Sequence, residues 1–234
     1  MAIVYNTSIV TAGLACYLDA NNPKSYSGSG TAWNDVSGNS RNFTWYTTPT
    51  YTSGQQNYFN TLGNRCTGPA SNSFGINNTS GYTIFLIMMQ NALVATSGFK
   101  FYSASAGNGR GIFSHCTWND DVVYFDQGGC CGGDTRTSVA SGGSQTWNIW
   151  TFERDTNSST RKIYKNGSLL ATNTATALDI NLSSTAMDLG SSDEYGGNSS
   201  TWNARLNAFV VYNRGLSDAE IAQNFNALRG RYGI

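Results

Sequence analysis

Apolar and polar residues alternate with a period of two along much of this chain, and that period is typical of β-strands. Trp147 and Ile149 share one face of the segment 147–154. Trp150 and Phe152 share the other face. We therefore predict a strand over Trp147–Arg154 that carries apolar side chains on both of its faces.

Two neighbouring features strengthen the β prediction. Tyr82–Gln90 is a nearly continuous apolar run that is too short and too rich in β-formers for a helix, so it predicts a central strand buried on both faces. Asn166-Gly167 separates the β-rich segments Arg161–Lys165 and Ser168–Leu170. This dipeptide supplies the two positive φ angles that a tight hairpin turn requires, so Asn166 and Gly167 are predicted to be structural.

Shorter β-rich segments recur between clusters of turn residues. The remaining predicted strands are Leu14–Leu18, Phe43–Tyr46, Tyr58–Leu62, Phe99–Tyr102, Gly111–Cys116, Val122–Asp126 and Asn203–Tyr212. Many short strands at even spacing indicate two packed antiparallel sheets.

One helix is predicted near the C-terminus. Ser217 and Glu220 have the spacing of a capping box, in which each side chain satisfies a backbone donor of the other residue. Gly230 is expected to end the helix. The apolar stripe that would cover the core consists of Ile221, Phe225 and Leu228.

These patterns define the fold class as all-β, a two-sheet antiparallel sandwich with one short C-terminal helix. We expect an N-terminal arm, residues 1–12, followed by a single domain, residues 13–234. The arm is apolar, and two interpretations of it stay open: it docks onto a neighbouring molecule, or it pairs into its own sheet.

Composition excludes several classes of function. Charged residues are 12% of the chain, its formal net charge is zero, and it has no basic block, which argues against binding to nucleic acid. The longest apolar run, Ile84–Met89, is too short to span a bilayer, and the N-terminus lacks the basic start of a signal peptide. Five cysteines, two of them the adjacent Cys130 and Cys131, do not have the spacing of a disulfide scaffold. We expect mostly reduced thiols and assembly in a reducing cytoplasm.

Several motifs occur in an order that matches a known superfamily. The chain contains GLACYLDANNP (13–23), FSHCTW (113–118), KIYKNGS (162–168) and FVVYNRGLSDAEI (209–221). Together they resemble the concanavalin A-like lectin/glucanase superfamily, in the laminin G-like form found in bacteriophage structural proteins. The resemblance implies that the sandwich is a jelly roll, and it is compatible with lectins, glycosidases, adhesion modules and virion components.

Catalytic chemistry finds little support in the sequence. Glycan hydrolysis requires two carboxylates across one sugar ring, and Glu153-Arg154-Asp155 lacks the last acid of the Glu-x-Asp-x-Glu pattern of the glucanase branch. We interpret Glu153 as exposed hairpin polarity. His115 and Cys116 are neighbours on a predicted strand and should point to opposite faces, which argues against both a Cys-His pair and a zinc site. We therefore predict no catalytic residue.

Binding sites have better candidates. Loop carboxylates could hold calcium, although Asp and Asn also serve simply as turn formers, and no cofactor is required by the fold. Aromatic side chains in polar loops could stack on sugars, or they could pack in the core or at an interface. The candidate calcium ligands are Asp120, Asp121, Asp126 and Asp193. The candidate sugar-binding residues are Trp33, Trp118, Tyr195 and Trp202.

The function predicted from the sequence is that of a non-enzymatic phage virion protein, either a capsid decoration protein or a module of a head or tail appendage. Its expected partners are other virion proteins and a host surface glycan, in a multimeric assembly. The alternative is a lectin or adhesin that recognises cell-surface polysaccharide outside a virion. A glycoside hydrolase is the minor alternative.

Overall fold

A computed structural model describes residues 8–95, 98–104, 110–129, 134–155, 159–176, 179–190 and 202–234. The strands are β1 (Leu14–Asp19), β2 (Ala32–Trp33), β3 (Phe43–Trp45), β4 (Thr50–Thr52), β5 (Tyr58–Asn60), β6 (Cys66–Ala70), β7 (Tyr82–Gln90), β8 (Phe99–Phe101), β9 (Ile112–His115), β10 (Val122–Gln127), β11 (Arg136–Ala140), β12 (Asn148–Arg154), β13 (Arg161–Lys165), β14 (Ser168–Asn173), β15 (Ala186–Leu189) and β16 (Ala204–Tyr212). The helix α1 is Asp218–Leu228.

The strands form two eight-stranded antiparallel sheets. The first sheet has the order β14-β13-β12-β7-β16-β5-β4, and β1 also pairs with β16. The second sheet has the order β11-β10-β9-β8-β15-β6-β3-β2. The predicted fold class, a two-sheet sandwich with one short C-terminal helix, is confirmed.

The main core lies between the two sheets, and β7 is central to it. Ile84 and Leu86 of β7 join the inter-sheet cluster, whereas Phe85 and Ile87 join a second cluster on the outer face of the first sheet. The alternation predicted along 147–154 is also confirmed, because Ile149 packs outward while Trp150 and Phe152 pack inward. Both faces of the first sheet are therefore covered.

Helix α1 covers the outer face of the first sheet. Ser217 Oγ accepts a hydrogen bond from the Glu220 backbone N–H, and the Glu220 carboxylate accepts one from the Ser217 N–H, so the predicted capping box is confirmed. Ile221 and Leu228 are buried in the outer cluster, and Phe225 packs against it. Gly230 does not end the helix in a left-handed conformation; a short 3₁₀ turn, Arg229–Arg231, follows Leu228 instead.

The described part of the arm, residues 8–12, lies against the chain's own helix. Asn224 Oδ1 accepts the Val10 N–H at 2.8 Å, and Tyr212 Oη donates to the Val10 carbonyl at 2.7 Å. Val10 is buried in the outer cluster. These bonds come from side chains, and residues 8–12 add no strand to either sheet. The first seven residues of the arm lie outside the described residues.

The hairpin turn is confirmed in its conformation. Asn166 has a φ of 52° and Gly167 a φ of 77°, as a turn of this type requires. A Cβ at Gly167 would also lie 2.9 Å from the ring of Phe225, so the turn packs closely beneath the helix. Asn166 and Gly167 are therefore structural residues.

Five strands were not predicted from the sequence. These are β2, β4, β6, β11 and β15. Gly68 and Pro69 obscure the β pattern of β6, where a register shift against β15 accommodates them. The others are only two to five residues long. Their strand conformation depends on pairing with neighbouring strands more than on their own sequences.

Three cysteines, Cys16, Cys66 and Cys116, are free and buried in the core. Burial raises the pKa of each thiol well above its usual value, so these thiols remain protonated at neutral pH. Cys130 and Cys131 lie outside the described residues. In the part of the chain that the structure describes, no helix is long and apolar enough to cross a membrane.

We predict that Ser217→Ala destabilises the protein by about 1 kcal/mol, because it leaves a backbone donor of the first helical turn unpaired. The change in the free energy of unfolding is measured by chemical denaturation. Ser168→Ala, which truncates an exposed strand residue, is the matched control and should change stability by far less. Equal effects of the two substitutions would contradict a stabilising role of the cap.

Candidate functional site

The outer face of the second sheet carries a row of charged and aromatic side chains at one register level. Asp188, Lys100, Phe113, Asp126 and Arg136 are successive cross-strand partners on β15, β8, β9, β10 and β11. Their chain neighbours on these strands point into the inter-sheet core, so this row points outward. We call these five residues the charged row.

At the Asp188 end of the charged row, the side chains form a hydrogen-bonded network. The Asp188 carboxylate accepts hydrogen bonds from Tyr102 Oη at 2.6 Å, Thr67 Oγ1 at 3.0 Å and Arg65 Nη1 at 3.1 Å. Lys100 Nζ lies 4.9 Å from the centre of the Tyr102 ring. Lys100 and Asp188 are both buried, so these charges are held in fixed positions.

The Asp126 end carries a bidentate ion pair. Arg136 Nε and Nη2 donate to the two Asp126 carboxylate oxygens at 2.7 and 2.6 Å. His115 Nε2 lies 3.7 Å from the same carboxylate. The Arg136 guanidinium also lies over the Tyr124 ring, 4.3 Å from its centre. Asp126 is fully buried and thereby orients the partly exposed guanidinium plane.

Aromatic rings extend this end of the row. The His115 ring lies 4.6 Å from that of Trp118 and 6.2 Å from that of Tyr124, both edge to face. Trp118 and Tyr124 are partly exposed. We call His115, Trp118, Tyr124 and Arg136 the aromatic cluster.

Exposed polar groups border the aromatic cluster. Asn119, Asp120 and Ser138 are exposed, and Ser138 is the cross-strand partner of Tyr124. Tyr124 Oη donates to Asp120 Oδ2 at 2.7 Å. This bond lowers the pKa of Asp120 and raises the pKa of Tyr124, so the carboxylate is charged and the phenol neutral at neutral pH. The surface thus combines flat rings with hydrogen-bonding groups at their edge.

Of the predicted sugar-binding residues that the structure describes, one lies at this surface. Trp118 is part of the aromatic cluster. The predictions for Trp33 and Trp202 were wrong, because both side chains are fully buried. Trp33 belongs to β2 and stacks on Trp45 at 5.9 Å, and Trp202 Nε1 donates to the Cys116 carbonyl at 3.3 Å. Tyr195 lies outside the described residues.

The candidate calcium ligands occupy separate positions. Asp120 is bonded to Tyr124, Asp121 accepts hydrogen bonds from Ser141 and Ser144, and Asp126 is paired with Arg136. Within the described ranges, no three acidic, His or Cys side chains converge on one point. Asp193 lies outside these ranges. Calcium binding stays a prediction, and Asp126 in particular serves another role.

The acidic residues of the hydrolase alternative do not face a groove. Glu153 was expected to be exposed, but it is fully buried on the face of β12 beneath the C-terminal segment. Neither of its carboxylate oxygens has a hydrogen-bond partner among the residues described, and Lys162 Nζ lies 3.7 Å from Oε2. Burial is the largest cause that raises the pKa of Glu153 to about 8. His115 and Cys116 do point to opposite faces, as predicted.

Known proteins share the fold of this chain. No family model and no curated protein matches the sequence. A Trypanosoma rangeli sialidase structure with sialic acid has a TM-score of 0.66 at 15% identity, covering 98% of this chain and 36% of that one. A botulinum neurotoxin type C structure, described by its cell entry through interaction with two ganglioside molecules, has a TM-score of 0.66 at 16% identity, covering 93% and 52%. The binding domain of botulinum neurotoxin DC, in complex with rat synaptotagmin II, has a TM-score of 0.68 at 14% identity, covering 94% and 52%.

These likenesses establish the fold class, a two-sheet β-sandwich that occurs within larger proteins. The chain spans about a third to a half of the length of these structures. At such identities the likeness concerns the fold alone, and one of these neighbours is an enzyme while another is a binding domain. Function has to be argued from the site.

We predict that the stability of this protein falls as the pH rises from about 4.5 towards 8, and that Glu153→Gln reduces this fall. Burial raises the folded-state pKa of Glu153 to about 8 from its ordinary value of 4.5. The protonated carboxyl is therefore favoured in the folded state, and its stabilising contribution is complete below the lower value and lost as the pH passes through the upper one. Free energies of unfolding across this range provide the measurement.

Asp179→Asn, at an exposed carboxylate, is the control for this prediction. Its stability curve should run parallel to that of the wild type. A Glu153→Gln curve that also runs parallel to the wild type would show that Glu153 titrates normally.

Proposed function

We propose that this chain is a non-enzymatic carbohydrate-binding module whose ligand contacts the aromatic cluster on the outer face of the second sheet. The observation that supports it is the partly exposed Trp118 ring, which lies edge to face with His115. The same cluster contains the Arg136 guanidinium, which the buried Asp126 carboxylate holds in place. Sugar rings stack on aromatic faces, and planar polar groups set their orientation.

The polar border of the cluster fits hydroxyl-rich ligands. Asn119, Asp120 and Ser138 offer both donors and acceptors at the rim of the rings. The Arg136 side chain is already fixed by its two hydrogen bonds to Asp126. Ligand binding therefore costs little side-chain entropy at this residue. A partly exposed surface of this kind suits weak binding that gains avidity from many copies.

The structural neighbours suggest which ligands to test first. One was solved with sialic acid, and another is described by its interaction with gangliosides. These ligands belong to those proteins, and their transfer to this chain is our proposal. Sialylated oligosaccharides should therefore be included among the neutral and acidic glycans tested.

We predict that Trp118→Ala weakens binding to the preferred glycan at least tenfold, because it removes a ring that contributes more than about 1.4 kcal/mol. A glycan array identifies the ligand, and calorimetry measures its affinity for the wild type and the variant. Tyr46→Ala is the matched control, since Tyr46 is 57% exposed but lies outside the aromatic cluster.

Two outcomes would contradict the proposal. Equal affinities of wild type and Trp118→Ala would exclude the aromatic cluster as the site. Release of reducing sugar from the bound glycan, at a rate that depends on the protein, would show that the module is an enzyme. Array experiments with and without calcium test the calcium prediction.

We further propose that the module acts in a phage virion, as a capsid decoration protein or as part of a head or tail appendage. The support is the resemblance of several ordered motifs to concanavalin A-like domains of phage structural proteins. Charged residues are only 12% of the chain. A surface with few charges also suits packing into a multimeric shell. The alternative, a lectin outside a virion, shares the same site.

We predict that purified virions contain this protein in a copy number that matches the symmetry of the shell or tail. Quantitative mass spectrometry against the major capsid protein measures this ratio. A free secreted pool with no copies on the particle would favour the lectin or adhesin alternative.

A further inference from the structure

Two arginines are buried side by side at one end of the space between the sheets. Arg154 ends β12 and Arg161 begins β13, and the two are direct cross-strand partners. Alternation places both on the inner face, as it does Phe152 and Ile163. Arg154 is 5% exposed and Arg161 is fully buried.

This pair lies at the other end of strand β10 from Trp118. Strand β10 begins at Val122, whose carbonyl accepts a hydrogen bond from the Trp118 N–H. It ends at Gln127, whose side-chain carbonyl accepts a hydrogen bond from the Tyr82 hydroxyl. Tyr82 is the cross-strand partner of Arg154. The arginine pair therefore lies at the opposite rim from Trp118, although Asp126, which orients Arg136, also acts on Arg161.

Among the described residues, the two guanidinium groups donate hydrogen bonds to backbone carbonyls alone. Arg154 Nη1 donates to the Asn78 carbonyl. Arg161 donates to the carbonyls of Ser159 and Asp134 at 2.9 and 2.6 Å, and to that of Ala175 at 3.3 Å. Across the described ranges, neither guanidinium has a carboxylate oxygen within the 4.0 Å of an ion pair.

Part of each guanidinium remains unused. The Nε atoms of Arg154 and Arg161 are both buried, and neither has a hydrogen-bond partner in the part of the chain that the structure describes. In Arg154, the described residues leave Nη2 unbonded as well, so that one whole edge of the group has no acceptor. The Nε–Nη2 edge is the fork that binds carboxylate, sulfate or phosphate oxygens in pairs.

Among the described residues, the negative charges near this pair do not offset its burial. Burial is the largest cause that lowers the pKa of Arg161, and the neighbouring charge of Arg154 lowers it further. Asp126 and Asp134 act in the opposite direction, but the pKa of Arg161 remains lowered. A buried charge without a counter-ion is unfavourable, so an anion entering this rim would gain a strong interaction.

We propose that Arg154 and Arg161 form a binding site for a small oxyanion at this rim, with the Arg154 fork as its main contact. A free inorganic anion and the acidic group of a larger ligand share this chemistry. Sulfate, phosphate and acetate are therefore the probes that define the site.

The test is calorimetric titration of the full chain with sodium sulfate, sodium phosphate and sodium acetate at constant ionic strength set with sodium chloride. We expect saturable binding of one equivalent for at least one of the three anions. Arg154→Lys keeps the positive charge but lacks the fork, and it should bind that anion at least tenfold more weakly. Arg205→Lys, at a partly exposed position on β16, is the control and should bind as the wild type does.

Lack of saturable binding by the wild type to all three anions would overturn the proposal, as would equal binding by Arg154→Lys. Sulfate also stabilises folded proteins in general, so a shift in melting temperature alone is not the readout. If Arg154→Lys does not fold, NMR signals of the arginine Nε–H groups in the wild type decide. Shifts of the Arg154 and Arg161 signals on titration support the site, and shifts confined to other arginines contradict it.

Discussion

The packing of apolar side chains on both faces of one central strand holds this structure together. Strand β7 contributes Ile84 and Leu86 to the core between the sheets and Phe85 and Ile87 to the core beneath the helix. β12 and β16 flank it, so the register of the first sheet is set at its centre. The second sheet carries charged and aromatic groups on its outer face. Lys100, Asp126 and Asp188 are buried there, whereas Trp118, Tyr124 and Arg136 are partly exposed.

Much of the fold could be predicted from local patterns. Tyr82–Gln90, the Asn166-Gly167 turn and the capping box at Ser217 each depend on a few adjacent residues, and each was predicted correctly. Strands such as β6 were missed because Gly68 and Pro69 hide its pattern, and its existence depends on neighbours distant in sequence. Gly230 shows the same limit, since a 3₁₀ turn replaces the expected helix stop.

The candidate site was harder to predict because it depends on the register between strands. Trp33, Trp118 and Trp202 have similarly polar surroundings in the sequence, but only Trp118 reaches the surface, since pairing buries Trp33 and the core takes up Trp202. Asp126 was predicted to bind calcium, and only the position of Arg136 across the β10–β11 pair shows that its carboxylate is already held. Glu153 was misplaced for a related reason, because nothing local indicates that the C-terminal segment covers it.

The central claim, that Trp118 and its neighbours form the ligand-binding surface, is tested most directly by NMR titration of the six tryptophan indole N–H signals. Sialyllactose, or the tightest ligand found on a glycan array, is the titrant. The account predicts that the Trp118 signal shifts to saturation with the ligand, while those of the buried Trp33, Trp45, Trp150 and Trp202 change little. Saturable binding that shifts Trp147 and leaves Trp118 unchanged would contradict it.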